Sequence, residues 1–323
     1  MLFRFLEENV IAKYKKRSLL LFAVTFLFIL LLFLRFYYLQ VVLHDKYKRL
    51  SEDNRIRILR IKAPRGFIKD RDGEILVKNA PSYNLSVIRE DTGDLNTLLG
   101  KLNNIVDLNV KEAKEKILKG YYYDPVTIFR GLNFKQVSYL YEHLKSFPGI
   151  RIEMDTVRSY KNGFAYSNLV GYMGEVNDSE LKKFNGYRPG DLIGKTGLER
   201  VYEKRLKGIN GAKQVEVNSL GQVVKVLKTK QAKPGSNVVL SMDYDLQKFG
   251  MELLKEKVGT IVVLDIYNNR VLLMATNPSY NLEKFVPFIE SDYWNTITND
   301  PDKPMLNRAI EGSYPPGSVF KVL

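Results

Sequence analysis

A serine and a lysine stand three positions apart near the end of the sequence, in the stretch Ser318-Val319-Phe320-Lys321. On a helix, residues three apart share one face, which would bring the lysine amine to the serine hydroxyl. A desolvated lysine can accept the serine proton and so activate the hydroxyl for acyl transfer. A helix N-terminus would also stabilise the developing oxyanion. The pattern predicts Ser318 as a nucleophile and Lys321 as its general base.

The same spacing occurs a second time, at Ser179-Glu180-Leu181-Lys182. There, a serine near a helix cap followed by a solvated lysine is the simpler interpretation, because serine favours helix N-termini and lysine favours water. The spacing alone therefore identifies no catalytic site, and the surrounding sequence must choose between the two copies.

Gly194-Lys195-Thr196 is similar to the end of a phosphate-binding loop. Such a loop needs a glycine five residues before its second glycine. That position holds Pro189, and Gly190 lies one residue out of register. We therefore predict no phosphate-binding loop here.

The chain has no cysteine and only two histidines, His44 and His143. The absence of cysteine excludes a disulfide scaffold, a thiolate zinc site and a cysteine nucleophile. The two histidines lie far apart in sequence, so the composition predicts no metal site and no cofactor.

A net charge of +14 raises the question of nucleic-acid binding. Residues 1–40 hold six Lys/Arg and two Glu, which leaves +10 for the rest of the chain. No single basic block dominates there and no nucleic-acid motif occurs, so we predict no nucleic-acid partner. Proximity to anionic lipid or wall polymer is one interpretation of this charge, and an ordinary solvated basic surface is the other.

An apolar segment, Leu19–Leu39, lies near the N-terminus, and its first sixteen residues hold nothing more polar than Thr25. As a helix it would be about 31 Å long, enough to cross a bilayer core of about 30 Å. The alternative is a buried helix of a soluble domain, but the segment lacks the polar face that such a helix usually has. We predict a transmembrane helix at residues 18–40.

Four of the five residues in Lys13–Arg17 are basic, so the positive-inside rule places residues 1–17 in the cytoplasm. A cleaved signal peptide is the alternative, but no small-x-small cleavage site follows the apolar core. The sequence predicts a retained signal anchor in the cell (inner) membrane, crossed once. The chain from about residue 41 onward would then lie outside the cytoplasm.

Beyond the anchor, apolar periodicity, turn residues and helix caps predict short strands and helices without an internal repeat. Asp72-Gly73 and Asn268-Asn269 are predicted tight turns between strands, and Asn109 and Asn133 are predicted helix N-caps. Asn277–Ser313 is expected to be rich in loops. Predicted strands are an extended segment through Ile56, Ile58 and Ile61, then Tyr83–Ile88, Val126–Phe129, Ile150–Val157 and Val238–Ser241, with hairpins at Val215–Leu227 and at Thr260–Ala275. Predicted helices are Asn109–Leu118, Phe134–Phe147, one from Asp178 or Ser179 to Gly186, Gly197–Leu206 and Tyr244–Lys257.

A series of stretches follows in chain order beyond the anchor: Asn54-Arg55, Ala63–Gly73, Gly171-Tyr172, Ile193–Glu199, Tyr202-Glu203, Leu206–Gly208, Leu240–Asp243, Leu246-Gln247, Val262–Asp265, Pro278–Tyr280, Asn307–Ala309 and Tyr314–Lys321. Taken together, these stretches resemble the class B penicillin-binding proteins, and among them the elongation type. The double proline Pro315-Pro316 and Trp294 favour that type over the division type, which is the alternative.

The resemblance implies a fold of three parts. A single N-terminal transmembrane helix is followed by an α+β pedestal domain, of the dimerisation type and rich in extended strands. The pedestal would occupy residues 41–235, with a head subdomain at about 85–155. Residues 236–323 would be the N-terminal part of a penicillin-binding/β-lactamase-like α/β transpeptidase domain, which is incomplete at Leu323.

The resemblance also implies a peptidoglycan D,D-transpeptidase that cross-links stem peptides during cell elongation. Ser318 would form the acyl-enzyme and Lys321 would act as its base, β-lactams would acylate the same serine, and the pedestal would contact a membrane glycosyltransferase of the RodA type. The alternative is a non-catalytic, membrane-anchored pedestal module that binds such a glycosyltransferase.

In such transpeptidases the order is Ser-x-x-Lys, then Ser-x-Asn, then Lys-Thr-Gly. Here all the matches to the later motifs precede Ser318, so we interpret them as non-catalytic: Ser82-Tyr83-Asn84, Ser279-Tyr280-Asn281 and Lys195-Thr196-Gly197. Because the printed chain stops two residues after Lys321, these 323 residues alone are expected to have no transpeptidase activity.

Overall fold

The computed structural model describes residues 21–45, 56–217 and 223–322. The chain divides into two compact units, Met1–Ile58 with Gln214–Leu227, and Leu59–Lys213 with Lys228–Leu323. The predicted tail at residues 1–17, its basic cluster Lys13–Arg17 and the tip of the first predicted hairpin at residues 218–222 lie outside the described residues.

The described elements alternate between short helices and strands. Helices are α1 Leu21–Val42, α2 Leu95–Asn103, α3 Val110–Lys119, α4 Phe134–Glu142, α5 Ser167–Val170, α6 Asp178–Lys183, α7 Gly197–Val201, α8 Glu203–Leu206, α9 Tyr244–Leu253 and α10 Ser291–Asn299, with 3-10 turns at Arg89–Asp91, Leu144–Ser146, Leu282–Phe285 and Gly317–Val322. Strands are β1 Ile56–Ile61, β2 Ile68–Lys69, β3 Ile75–Ile88, β4 Pro125–Leu132, β5 Ile150–Tyr160, β6 Met173–Glu175, β7 Leu192–Gly194, β8 Gly211–Val217, β9 Val223–Lys230, β10 Val238–Val239, β11 Gly259–Leu264 and β12 Val271–Asn277.

Helix α1 spans 22 residues with a mean hydropathy of 2.2, and its apolar side chains are exposed. Its last turn, Tyr38–Val42, is π-helical. Arg35 lies near that end, with its guanidinium carbon 5.9 Å from the centre of the Tyr38 ring. The helix is long and apolar enough to cross a membrane, and it ends three residues beyond the predicted Leu39.

The central element is a five-stranded sheet in the order β10-β2-β3-β4, with β5 paired to β3. All pairs are antiparallel except β10 with β2. Strand β3 enters from a tight turn in which the Asp70 carboxylate accepts the backbone N–H groups of Asp72 and Glu74, and Gly73 supplies a positive φ of 88°. The predicted Asp-Gly turn between two strands is confirmed.

Three smaller sheets complete the described strands. Strands β1, β8 and β9 pair in the order β1-β8-β9, β6 pairs with β7, and β11 pairs with β12. The β11–β12 hairpin turns at Asn269, which has a φ of 57°, as its sequence predicts. Side chains near the hairpin tip, such as Leu264 and Ile266, are exposed.

The unit formed by Leu59–Lys213 together with Lys228–Leu323 contains two hydrophobic cores. The large core combines the start of β3 and residues 160–206 with residues 238–297, including Tyr166, Met242 and Leu273. The small core contains only residues between Leu85 and Ile150, from the end of β3, helices α2–α4, β4 and the start of β5. Strands β3 and β5 therefore contribute to both cores.

Most predicted elements occur, but several have different bounds. The predicted helix Phe134–Phe147 ends at Glu142, because the backbone leaves α-helical geometry at His143 (φ −104°, ψ 20°). The predicted helix Gly197–Leu206 is two helices, broken at Tyr202, and the predicted helix Tyr244–Lys257 ends at Leu253. Strand β3 begins at Ile75, eight residues before the predicted start at Tyr83, because residues from Val77 onward pair with β5. Pro81 lies in this first half, where β4 does not pair with β3, so its missing N–H is tolerated.

Candidate active site

Ser318 and Lys321 lie in the 3-10 turn Gly317–Val322. In a 3-10 helix, positions i and i+3 are eclipsed, so the two side chains share one face, as predicted. The geometry is 3-10 rather than α-helical. Both residues are exposed, so the described part of the chain does not supply the desolvation that an activated lysine requires.

The segment before this turn is fastened by side-chain hydrogen bonds. The Asn307 amide donates to the carbonyl of Asn168 (3.1 Å), and its oxygen accepts the backbone N–H of Ala309 (3.2 Å). The Arg308 guanidinium donates to the carbonyls of Lys303 (3.0 Å) and Asp302. Residues 307–309 are thus held against α5, and residues 314–316, which lead to the turn, are exposed.

A second attachment joins the β11–β12 hairpin to the segment around α5. The fully buried Gln247 on α9 donates to the carbonyls of Ala165 (2.8 Å) and Met274 (2.9 Å) and accepts the N–H of Met274 (2.9 Å). Ser279 donates to the carbonyl of Phe164 (2.8 Å). Residues 236–299 therefore share one packed core with residues 160–172.

The matches that we interpreted as non-catalytic have structural partners. Ser82 donates to the Asn84 side chain (3.2 Å) inside β3, and the hydroxyls of Ser279 and Ser167 lie 2.6 Å apart. Lys195 forms an ion pair of 2.5 Å with Glu180, whose pKa lies below its ordinary value because Lys195, the Asn177 N–H and Arg200 outweigh the effect of burial. The structure brings none of these motifs into the Ser318 turn.

The second Ser-x-x-Lys copy also fits its simpler interpretation. Asn177 caps α6 by accepting the N–H of Glu180, and Ser179 donates to the Asn177 oxygen (2.7 Å). Lys182 is exposed. The serine is therefore part of a helix cap and the lysine is solvated.

Four buried charged side chains form what we call the arginine–glutamate network: Arg65, Arg158, Glu199 and Glu203. Arg65 donates to both carboxylates, at 2.7 Å to Glu199 and at 2.9 and 2.8 Å to the two oxygens of Glu203. Arg158 donates to the other oxygen of Glu199 (2.9 Å). Glu203 also accepts the Tyr187 hydroxyl (2.5 Å). Every carboxylate oxygen in the network therefore has a donor.

The network perturbs the ionisation of its members. Burial acts to lower the pKa of Arg65, but Glu199 and Glu203 outweigh it and raise the pKa above its ordinary value. Burial acts to raise the pKa of Glu203, but its bonds from Arg65, Tyr187 and the Gly194 N–H lower the pKa below 4.5. Burial, reinforced by the charge of Arg65, lowers the pKa of Arg158 despite the opposing charge of Glu199.

Two glycines allow Glu199 to enter this network. A Cβ on Gly194 would lie 2.3 Å from the backbone of Glu199, and a Cβ on Gly197, which has a φ of 57°, would lie 2.5 Å from the carbonyl of Leu169. The segment that includes Gly194-Lys195-Thr196, which is similar to the end of a phosphate-binding loop, therefore lets backbone segments pack closely beside the buried carboxylate of Glu199.

Arg65, Glu199 and Glu203 lie in the stretches that resemble the family, but the sequence predicted no role for them. Arg158 lies outside those stretches and was not predicted. A signal for Arg158 exists, because alternate residues of β5 share one face, and this face holds Ile150, Ile152 and Tyr160. A charge on that face needs a buried partner.

Within residues 21–45, 56–217 and 223–322, no group of three or more His, Asp or Glu side chains is arranged to hold a metal ion.

Two family models match the chain in order. Residues 60–240 match the penicillin-binding protein dimerisation domain, and residues 259–323 match the penicillin-binding protein transpeptidase domain. The first match alone covers more than half of the chain.

Individual relatives agree with these matches. The chain is 33% identical to peptidoglycan D,D-transpeptidase MrdA of Haemophilus influenzae over 98% of this chain and 49% of the relative. It is 31% identical to the MrdA protein of Escherichia coli over 96% of this chain and 50% of that relative. The chain therefore spans about half the length of the curated relatives it matches.

A solved structure is similar in three dimensions as well. The complex between penicillin-binding protein PBP2 and MreC from Helicobacter pylori matches with a TM-score of 0.71 and 28% sequence identity, over 83% of this chain and 51% of that chain. The similarity therefore extends to the arrangement of the elements as well as to the sequence.

Proposed function

Because the chain belongs to the penicillin-binding protein family, we propose that it is part of an elongation-type peptidoglycan D,D-transpeptidase. Ser318 attacks the penultimate D-Ala carbonyl of a donor stem peptide, the C–N bond to the terminal D-Ala breaks, and an acyl-enzyme forms. An amine of a neighbouring stem peptide then attacks the ester, which releases Ser318 and leaves a cross-link.

Lys321 accepts the Ser318 proton in the first step and returns a proton to the departing amine. The observation that carries this proposal is the shared face of Ser318 and Lys321 in an exposed turn, at the end of the region that matches the transpeptidase domain. β-Lactams acylate the same hydroxyl, because their strained amide occupies the place of the D-Ala–D-Ala bond.

The proposed organisation follows the same family. Residues 1–17 are a cytoplasmic tail, 18–40 an anchor in the lipid bilayer, 41–235 a pedestal with a head at about 85–155, and 236–323 the start of the transpeptidase domain. The family matches at 60–240 and 259–323 support this division, and so does the small core between Leu85 and Ile150.

The coding DNA beyond codon 323 should be read first, because it determines which polypeptide must be expressed to test the catalytic proposal. A frame that continues through Ser-x-Asn and then Lys-Thr-Gly supports it, and fluorescent penicillin should then label that product but not its Ser318→Ala variant. The 323-residue polypeptide is the matched control, and it should stay unlabelled because that sample contains no later motif. Labelling of the Ser318→Ala product would contradict the assignment of the nucleophile.

The second candidate function is a non-catalytic, membrane-anchored module whose pedestal binds a membrane glycosyltransferase of the RodA type. The large family match to residues 60–240, and a similar structure that is a complex with MreC, favour a binding role for this region. A frame that ends without the later motifs supports this function. Co-purification of the Ser318→Ala chain with the glycosyltransferase, or stimulation of its activity, measures it.

Membrane orientation has a simple test because the chain has no cysteine. Single cysteines replace Lys13 in the tail and the exposed Lys135 on α4. In spheroplasts, a membrane-impermeant maleimide should label Lys135→Cys and leave Lys13→Cys unlabelled until the membrane is opened. The reverse pattern would invert the proposed topology.

A further inference from the structure

Helix α5, Ser167–Val170, is a single turn that is bonded to the last part of the chain at two places. The carbonyl of Ser167 accepts the Tyr280 hydroxyl (3.1 Å), and Asn168 is hydrogen-bonded to the segment 304–307. The helix lies in the region that matches the dimerisation domain, and both bonded segments lie in the region that matches the transpeptidase domain. Helix α5 therefore joins the two family regions.

Asn168 and Asn307 form two hydrogen bonds, which we call the asparagine clamp. The Asn168 amide donates to the carbonyl of Pro304 (3.2 Å), and the Asn307 amide donates to the carbonyl of Asn168 (3.1 Å). The Asn168 oxygen is buried and has no hydrogen-bond partner among the described residues, so this side chain contributes through its donor alone. Both residues are half-buried, which limits competition from water. The clamp thus fixes residues 304–307 to α5.

Residues 302–311 form a turn that is closed by its own hydrogen bonds. The Arg308 side chain lies inside it, 7% exposed, and donates to two carbonyls at the start of the turn. The Asn307 carbonyl accepts the N–H of Glu311 (2.8 Å) at its end. Because the turn is closed in this way, the clamp sets the position of the whole turn.

The stretch between this closed turn and Ser318 is short and stiff. A Cβ on Gly312 would lie 2.5 Å from the carbonyl of Arg308 and 2.7 Å from the Tyr314 ring, so the chain folds back tightly there. The rings of Pro315-Pro316 then fix two successive φ angles. A displacement of the closed turn is therefore passed on to Ser318.

Acyl transfer depends steeply on where the attacking hydroxyl lies, and a misplacement of about 1 Å can cost a hundredfold in rate. We propose that Asn168 and Asn307 are positioning residues for Ser318, so that α5 takes part in holding the nucleophile in place. This inference rests on the proposed function. Loss of the clamp slows acylation and leaves the preceding noncovalent binding of a β-lactam unchanged.

The first test uses the product of a frame that continues beyond codon 323. Labelling by fluorescent penicillin, followed over time at several concentrations, gives the acylation rate constant and the noncovalent dissociation constant separately. Asn307→Asp keeps the acceptor for the Ala309 N–H but removes the donor to Asn168, and Asn168→Ala removes the donor to Pro304. Each should lower the acylation rate constant about tenfold or more and change the dissociation constant less than about twofold. Wild-type acylation rates in both variants would overturn the proposal.

The matched control is Asn103→Ala at the end of α2, beside the small core. The Asn103 oxygen accepts the N–H of Leu108 (3.1 Å), so this variant also loses a partly buried hydrogen bond. It should lower the melting temperature about as much as Asn168→Ala does and leave the acylation rate constant unchanged. An equal loss of acylation rate in the control would mean that stability alone sets the rate, and would contradict the proposal.

The second test uses the 323-residue chain in an uncharged maltoside detergent and needs no catalysis. Because the chain has no cysteine, a nitroxide can be attached at Ile310→Cys alone, three residues after Asn307 and 68% exposed in the wild type. Asn307→Asp and Asn168→Ala should narrow its EPR lines because the closed turn gains motion, whereas Asn103→Ala should not. Unchanged line widths in both clamp variants would overturn the proposal. A product that penicillin labels without Ser318, or does not label at all, contradicts the proposed function instead, and the line widths still decide the clamp.

Discussion

The Ser318 turn and three of the four residues of the arginine–glutamate network, Arg65, Glu199 and Glu203, come from stretches that resemble the same protein family. The turn and the network nevertheless have opposite physical settings. Ser318 and Lys321 are exposed in a six-residue 3-10 turn. Glu199 is fully buried and its two oxygens accept hydrogen bonds from two arginines. The motif that supports the fold has its partners inside the protein, whereas the motif that we propose to be catalytic leaves its hydroxyl and amine exposed.

The largest expected effect comes from breaking the network at its centre. Glu199→Gln should lower the free energy of unfolding by about 3–5 kcal/mol, because Arg65 and Arg158 would remain buried without a full counter-charge. Urea denaturation followed by the fluorescence of Trp294, the single tryptophan, measures the change. The exposed Glu256→Gln is the control and should change stability by less than about 0.5 kcal/mol. A similar value for both would remove the contrast between the two regions.

A smaller effect is expected at the attachment of the β11–β12 hairpin. Gln247→Leu should cost about 2–3 kcal/mol, because the carbonyl of Ala165 and the backbone N–H and carbonyl of Met274 would lose their buried side-chain partner. The same denaturation experiment applies. Lys248→Gln, next to it on the exposed face, should be nearly neutral, and a neutral Gln247→Leu would show that the hairpin is held by apolar packing alone.

The ion pair between Glu203 and Arg65 should also make stability depend on pH. The folded pKa of Glu203 is lowered below its ordinary 4.5, so its ion pair with Arg65 stabilises the fold above that pH and the contribution is lost as the pH falls through the folded value. The free energy of unfolding should therefore fall more steeply with acid in the wild type than in Glu203→Gln. Glu256→Gln should keep the wild-type slope, and equal slopes for Glu203→Gln and the wild type would refute the assignment.

The smallest effect on stability is expected at Ser318. Ser318→Ala should change the free energy of unfolding by less than about 0.5 kcal/mol, because the side chain is exposed and outside both cores. Thermal denaturation of the 323-residue chain measures this. A loss of 2 kcal/mol or more, on the order of a lost buried hydrogen bond, would mean that the turn is part of the folded core.

The sequence predicted the location of most elements because their signals are local. Asn133 caps α4 and Asn109 caps α3, the Asp-Gly turn precedes β3, and Asn269 takes the positive φ of the β11–β12 turn. The shared face of Ser318 and Lys321 was also predictable, because it needs only a helical spacing of three.

What the sequence could not predict depends on contacts between distant residues. Helix α2 was missed although Asp94 caps it, because its Asn and Gly residues weaken the helical signal. The length of β3 follows from pairing with β5, about 70 residues later. The arginine–glutamate network joins Arg65 to residues more than 130 positions away, and no local pattern contains that information.

The two strands shared by the cores have a mechanical consequence. The chain enters the small core through β3 and leaves it through β5, and eleven consecutive residue pairs join them, a ribbon of about 36 Å. No loop can act as a pivot where the chain crosses. Any movement of the small core relative to the large core therefore requires bending of the β3–β5 ribbon. A force applied to the small core reaches the large core through the continuous ladder of hydrogen bonds between these two strands.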